Sequence, residues 1–347
     1  AAAKVVVAKP PQLLPSAKQR QRRLCARQQR LLWQSRRNYC QAQRCVSVGF
    51  ARGGESSLKF RLLAAAILAL LLALPAAAQP SLWHVKGSQG EAWLFGSIHV
   101  LPPGIDWRTP KVEDALANAD VFVFEVSQDA ATMARVQKLI AEHGYLPQGV
   151  LLRDLLHPAA QAKFDAAVAA AGLPAEQINH ERPWLAGLQI LFAQMGRHQF
   201  GTGDGVDAVL MDVARKTGKP MRYLETIDEQ FALLAPDDPA LELDEFESGL
   251  ADLNDAEAMV QPMVDAWEAG DQTALAKIVD EDMSDFPSAQ KALFDDRNAR
   301  WVPKIAAMLK QKHRFFITVG AGHLAGPRGV PALLRKAGYT VEGPGAD

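Results

Sequence analysis

The sequence predicts an α/β fold: a mixed β-sheet, Gly-x-x-His motifs at strand ends near both ends of the domain, and a largely helical middle insertion. Three observations carry this. Short runs rich in β-branched and aromatic residues stand at both ends of the region after Ser81. Helical periodicity fills most of the chain between them. Two of the strands run into the same tetrapeptide pattern, Gly-x-x-His, at 96–99 and 320–323.

The elements follow in order. Residues 82–86 and 92–95 read as strands joined by the turn Gly-Ser-Gln-Gly at 87–90, a hairpin signal. Thr109 followed by Pro110 offers an N-cap with proline at the first helical position, starting a helix that runs to about Asn118. The run 121–126 is apolar on both faces, as a buried strand is, except for Glu125 near its end. Helical periodicity covers 130–144, 159–171 and 183–197. A glycine-rich turn at 201–205 introduces a helix through Lys216, with Asp204 as its expected cap. That turn lacks the Gly-Lys-Ser/Thr ending of a phosphate loop, which argues against nucleotide binding. A strand at 221–225 precedes a long acidic helical stretch over about 241–312, broken near Asp271 and Pro287. A strand at 314–319, a helix over 329–337 and a strand at 339–342 close the domain.

Charge divides the chain. Of 38 Lys+Arg and 39 Asp+Glu, residues 1–57 hold 12 basic groups and one acid, so the remainder carries 26 against 38, a net of -12. An acidic bulk of this kind repels polyanions, and no nucleic-acid partner is expected for it. Residues 1–57 show no sustained periodicity and hold all three cysteines; they read as a basic extension, untranslated or disordered, with translation starting at Leu58. Residues 58–78 then form a signal peptide: Lys59 and Arg61, an apolar run over 62–74, and an Ala-x-Ala site ending at Ala78. The apolar run is shorter than the ~20 residues a spanning helix needs, so no stable membrane anchor is expected after cleavage. The mature chain, a single domain over 79–347, would be periplasmic or secreted and would contain no cysteine, hence no disulfide, thiolate ligand or cysteine nucleophile.

The chemistry gathers at strand ends. A glycine there permits a sharp turn that aims His99 and His323 at a common point, and open α/β sheets collect their ligands outside such ends. Glu125, beside four apolar residues, is costly to bury unless a cation or donor meets it. Two imidazoles and a carboxylate around an open position suit a catalytic divalent metal; equally, a histidine at a strand end is often only a cap or surface group. Arg297 and Asn298 on one helix suit a developing oxyanion, or else lie on an exposed face with Asp295 and Asp296 as counter-charges. Asp207 could orient a histidine through its second ring nitrogen. Glu225 and Glu342 end or nearly end strands without being singled out by spacing, and Trp184 and Trp301 read as core or groove-lining aromatics.

Taken together, 94–99 (Leu-Phe-Gly-Ser-Ile-His), Phe124-Glu125, Arg297-Asn298 and 319–324 (Val-Gly-Ala-Gly-His-Leu) resemble the TraB/GumN family, with supporting segments at 182–184, 205–207 and 224–226. Relatives of that family include the Tiki proteins, metal-dependent proteases of the secreted signalling protein Wnt. The resemblance spans about 81–342 and implies a metal-dependent hydrolase, a peptidase acting on a peptide or protein. It implies His99, Glu125 and His323 as ligands of a divalent ion, Mn or Co, with Zn also compatible. In that reading Glu125 is either a ligand or the general base, and Arg297 and Asn298 assist catalysis. The alternatives are a non-catalytic protein of the same fold that captures a peptide or haem in the cell envelope, and an envelope accessory protein that keeps the site only as structure.

Overall fold

The computed structural model describes residues 79–345, apart from 199, 201–204, 236–237, 254 and 285. The basic extension, the signal segment and Asp204 therefore lie outside the described residues.

The chain opens with the expected hairpin, β1 (Leu82–Lys86) antiparallel to β2 (Glu91–Ser97). Helix α1 (Pro110–Asn118) starts at the expected cap: the Thr109 hydroxyl accepts from the Val112 amide and Pro110 follows it. Strand β3 (Val121–Phe124) is buried throughout and stops just before Glu125, shorter than the apolar run suggested. The insertion then contributes α2 (Ala130–His143), α3 (Leu152–Leu155), α4 (Pro158–Ala171), α5 (Ala175–Ile178) and α6 (Pro183–Arg197). Helix α7 (Val206–Thr217) leads into β4 (Met221–Tyr223), and Gly205, not Asp204, holds its N-cap position.

A helix the sequence reading did not include, α8 (Ile227–Leu234), precedes the acidic stretch, which is α9 (Pro239–Leu253), α10 (Ala256–Glu268), α11 (Gln272–Asp282), α12 (Pro287–Gln290), a π-helical turn (Lys291–Asp295) and α13 (Asp296–Met308). The stretch breaks near Asp271 and Pro287 as expected: Asp271 caps α11 through the Ala274 amide and Pro287 opens α12. A further break, capped by Asp255, and the π turn carry no signal that the sequence reading used. Strand β5 (Arg314–Gly320) passes into a 3₁₀ turn (Ala321–Leu324), then α14 (Val330–Lys336) and β6 (Thr340–Glu342). Among the described residues no helix is long and apolar enough to cross a membrane.

The six strands form one mixed sheet in the order β4-β3-β5-β2-β1-β6. Strands β4, β3, β5 and β2 are mutually parallel, while β1 runs antiparallel to β2 and β6. Alternation along the central strands serves two cores. Phe95, Phe122, Phe124 and Phe316 pack with Leu116, Leu210 and Trp267 on one face. Val121, Val123, Phe315 and Ile317 pack with Trp301, Ile305 and Leu334 on the other. The insertion has its own cluster, in which Phe164, Ile178 and Ile190 meet Phe246 and Leu250 of α9.

Parallel pairing puts the two Gly-x-x-His segments side by side, with Gly96 opposite Val319 and Ser97 opposite Gly320. Neither Gly96 nor Gly320 has a positive φ, so the expected sharp turn is not why glycine stands there. At Gly96 the reason is space, because an added Cβ would lie 3.0 Å from Ala321 Cα and 3.1 Å from its Cβ. At Gly320 the nearest atoms would be Glu125 Oε1 at 3.5 Å and His323 Cδ2 at 3.6 Å, ordinary contacts.

The two glycines should therefore differ in urea denaturation. Gly96→Ala is expected to lose about 1–3 kcal/mol, the usual cost of overpacking, and Gly320→Ala well under half of that. Equal losses would show that the motif glycines share one backbone role instead.

Candidate active site

Four neighbouring parallel strands each deliver one ionisable residue to the same sheet edge. Glu125 follows β3 directly, Glu225 follows β4 by two residues, His99 follows β2 by two, and His323 sits in the 3₁₀ turn after β5. The chain holds these positions locally. The Glu225 amide donates to the Glu125 carbonyl at 2.8 Å, extending the β3–β4 pairing past the strands. Thr226, next in line, opens α8 with a capping box, its hydroxyl accepting from the Glu229 amide while Glu229 accepts from the Thr226 amide.

Arg297 on α13 is the hub. Its Nη2 donates to Glu125 Oε2 at 2.6 Å and to Glu225 Oε2 at 2.9 Å, and its Nε bonds both Glu225 oxygens at 3.1 Å. Its Nη1 donates to the Leu293 carbonyl at 3.3 Å and to His323 Nε2 at 2.9 Å. The residue is 8 % exposed, and its guanidinium lies over the Trp301 ring at 4.7 Å. All of its nitrogens are committed. Glu125 is bonded through both oxygens, Oε1 accepting from the Gly320 amide at 2.7 Å and Oε2 also from Gln230 Nε2 at 3.1 Å.

The two motif histidines live in opposite environments. His323 is buried between Trp301 and Phe294, at ring distances of 4.4 and 5.0 Å. An arginine can only donate, so Nε2 must accept and Nδ1–H donates to Asn298 Oδ1 at 2.7 Å. Asn298 is held in that orientation by its Nδ2, which donates to the Arg328 carbonyl. Burial pushes the His323 pKa down to about 3, so the ring is neutral.

His99, with 68 % of its side chain exposed, pairs Nδ1 with Asp207 Oδ2 at 2.7 Å. That hydrogen bond raises its pKa to about 9, with the charge of Glu125 adding to it and that of Arg297 opposing. Burial alone would raise Asp207, but the His99 hydrogen bond and charge outweigh it and hold the carboxyl below its usual range. The pair exists because α7 begins hard against the His99 loop. The Val206 amide donates to the Ile98 carbonyl at 3.0 Å, and a Cβ on Gly205 would lie 2.1 Å from the His99 carbonyl oxygen.

The structure thus brings together His99, Glu125, Arg297, Asn298 and His323, as well as Asp207 in its expected orienting role. Arg297 and Asn298 are not on an exposed face; at 8 % and 2 % exposure they are interior. Asp296 pairs with Lys291 and Asp295 with Arg328, so neither serves as their counter-charge. Nor do they present free donors to an oxyanion: they hold the carboxylates and His323. Glu225, undistinguished by spacing, is central, while Glu342 pairs with Lys86 on the far side of the sheet order. Gln230 had no sequence signal at all. It reaches Glu125 from α8 and also lines an apolar groove of about 420 Å³ with Ile140, Trp184, Leu188, Phe192 and Phe231.

The donor set for a divalent ion has the right chemistry but not the right state. The single lone-pair nitrogen of His323 and both Glu125 oxygens are engaged by the protein, leaving His99 Nε2 as the donor without a partner among the described residues. Among the described residues no three His, Cys, Asp or Glu side chains are disposed to hold a metal ion. In this arrangement the residues do not fit the ion that the resemblance implies.

Asp207→Asn should lower the His99 pKa from about 9 towards the ordinary 6.5, read by NMR titration of the ring. A raised imidazole pKa stabilises the fold below pH 6.5, and that contribution is lost as pH rises through about 9. The Asp207→Asn variant should therefore lose stability relative to wild type at about pH 6 and converge with it by about pH 10. Gly205→Ala should likewise lower the His99 pKa by parting the pair, and an unchanged titration would remove the close approach as its cause.

No curated protein matches the chain. The family model for TraB/PrgY/gumN matches residues 81–343, from the first strand of the hairpin through β6 and including every residue of the site. The chain belongs to the TraB/PrgY/gumN family.

Proposed function

We propose that the chain is an exported hydrolase of peptide or related acyl bonds, in which His99, oriented by Asp207, is the proton-transfer residue. One observation carries the reading: an exposed imidazole is fixed by a half-buried carboxylate beside an interior Glu–Arg–His cluster, with its Nε2 free of partners among the described residues. A third group orienting the base is the recurrent arrangement of proton-transfer sites. Export is supported by the signal-like pattern of 58–78, and the acidic mature chain favours a peptide over a polyanion.

The step follows from the charges. His99 as imidazolium gives its proton to the leaving nitrogen or oxygen while the bond to the acyl carbon breaks. Water supplies the new carbon–oxygen bond, and the proton it loses restores His99. Glu125, held by Arg297 and the Gly320 amide, lies close enough for its field to favour the imidazolium. The groove that Gln230 connects to Glu125 suits a substrate segment with apolar side chains.

A diverse peptide and ester library, incubated with the mature chain across about pH 5–10, tests this. His99→Ala should lower kcat/KM by about 10²–10⁴-fold, the range for general acid–base groups. Activity needs the protonated ring, so it should fall on the alkaline side, and Asp207→Asn should move that limb to lower pH. Cleavage untouched by His99→Ala would sink the assignment.

A further inference from the structure

We propose that Arg297 is the resident cation of this site, occupying by its guanidinium the position between Glu125 and His323 that a divalent ion would otherwise take. The proposal relies on the active-site placement above, but its test reads metal content and melting, so it can fail while hydrolysis stands.

The first argument is saturation. A divalent ion coordinates through lone pairs, and Arg297 takes the single lone pair of His323 and stands on one oxygen of Glu125. Its Nη1 lies 2.9 Å from His323 Nε2, the ring's accepting nitrogen, and its Nη2 lies 2.6 Å from Glu125 Oε2. The remaining Glu125 oxygen takes the Gly320 amide, and the remaining His323 nitrogen carries the hydrogen given to Asn298. The second argument is charge. Arg297 already offsets Glu125 and Glu225, with Arg300 3.6 Å from Glu225 as a further cation. A dication would have to enter against a like charge at close range.

The third argument is that the position cannot be vacated by proton loss. A guanidinium stays charged at every accessible pH. It could only leave bodily, and it is held by two carboxylates, an imidazole, the Leu293 carbonyl and the Trp301 face. What the planar fork supplies is a fixed cation with directed bonds. It keeps Glu125 paired and in place without any ion from solution.

The test uses the purified mature chain, stripped with chelator and then dialysed against buffered Mn²⁺, Co²⁺ or Zn²⁺. Elemental analysis should find far less than one ion per chain in the wild type, and its Tm should not move with any of the three. Arg297→Ala leaves Glu125, Glu225 and His323 without their partner. It should melt lower in chelator than wild type, and then gain both a bound ion and a rise in Tm of several degrees on metal addition. Should that variant not fold, Arg297→Lys keeps a cation there and should take up no ion, as the wild type does. One ion per wild-type chain, lost in both Glu125→Gln and His323→Ala, would overturn the proposal. So would an Arg297→Ala protein that folds yet takes up no ion, or an Arg297→Lys protein that binds one.

Discussion

Putting a guanidinium into the interior strips it of water and is tolerated only where every N–H and the charge are met. Arg297 satisfies that condition with partners drawn from three adjacent strand ends: Glu125 after β3, Glu225 after β4 and His323 after β5. One side chain on α13 therefore ties together the edge of the sheet where the strands fan out. The constraint is mutual, because each carboxylate is itself interior and needs the cation. Removing the shared partner would leave Glu125 without a cation and Glu225 with Arg300 alone, and a broken buried pair costs about 3–5 kcal/mol. The π turn just before α13 belongs to the same arrangement, since it supplies the Leu293 carbonyl that takes one of the guanidinium hydrogens. Interruptions of this kind recur at functional positions in helices.

Two instances of one Gly-x-x-His pattern end in opposite protonation states, and neighbours rather than the pattern explain it. His323 lies under Trp301 and Phe294 with a permanent cation on one nitrogen and an amide oxygen on the other, so its neutral form wins. His99 lies at the surface against a carboxylate, so its charged form wins. Environments that push two equivalent groups apart in this way divide labour in acid–base sites. Here the interior ring is a structural acceptor and the outer ring is the one free to exchange protons.

The helical insertion connects to this edge through α8. Thr226 and Glu229 fix the start of that helix immediately after Glu225, and one turn later Gln230 spans from Glu125 to the apolar groove. Exposed Phe192 and Leu234 line the same groove. A molecule lying there would be placed beside the carboxylate cluster by geometry that the capping box has already set. The segment 182–184 has a different task, joining α6 to α9 where Arg182 and the Trp184 amide share buried Glu242.

Much of the fold was written locally. The strand at 314–319, the Thr109-Pro110 start and the breaks near Asp271 and Pro287 all emerged as read, because strand propensity, capping and proline geometry act within a few residues. The site was legible in its membership: His99, Glu125, Arg297, Asn298 and His323 meet at one edge. Their roles were not. Which nitrogen of His323 accepts, how Arg297 is buried, and why Glu225 rather than Glu342 joins it depend on the strand order β4-β3-β5-β2, which makes neighbours of residues far apart in the chain. The glycines teach the same lesson, since Gly96 is crowded by Ala321 just past the pairing and Gly205 is required by the His99 backbone. Sequence patterns encode the backbone's own periodicity, whereas charge partnership is decided by contacts that exist only once the parallel strands have paired and the helices have closed over them.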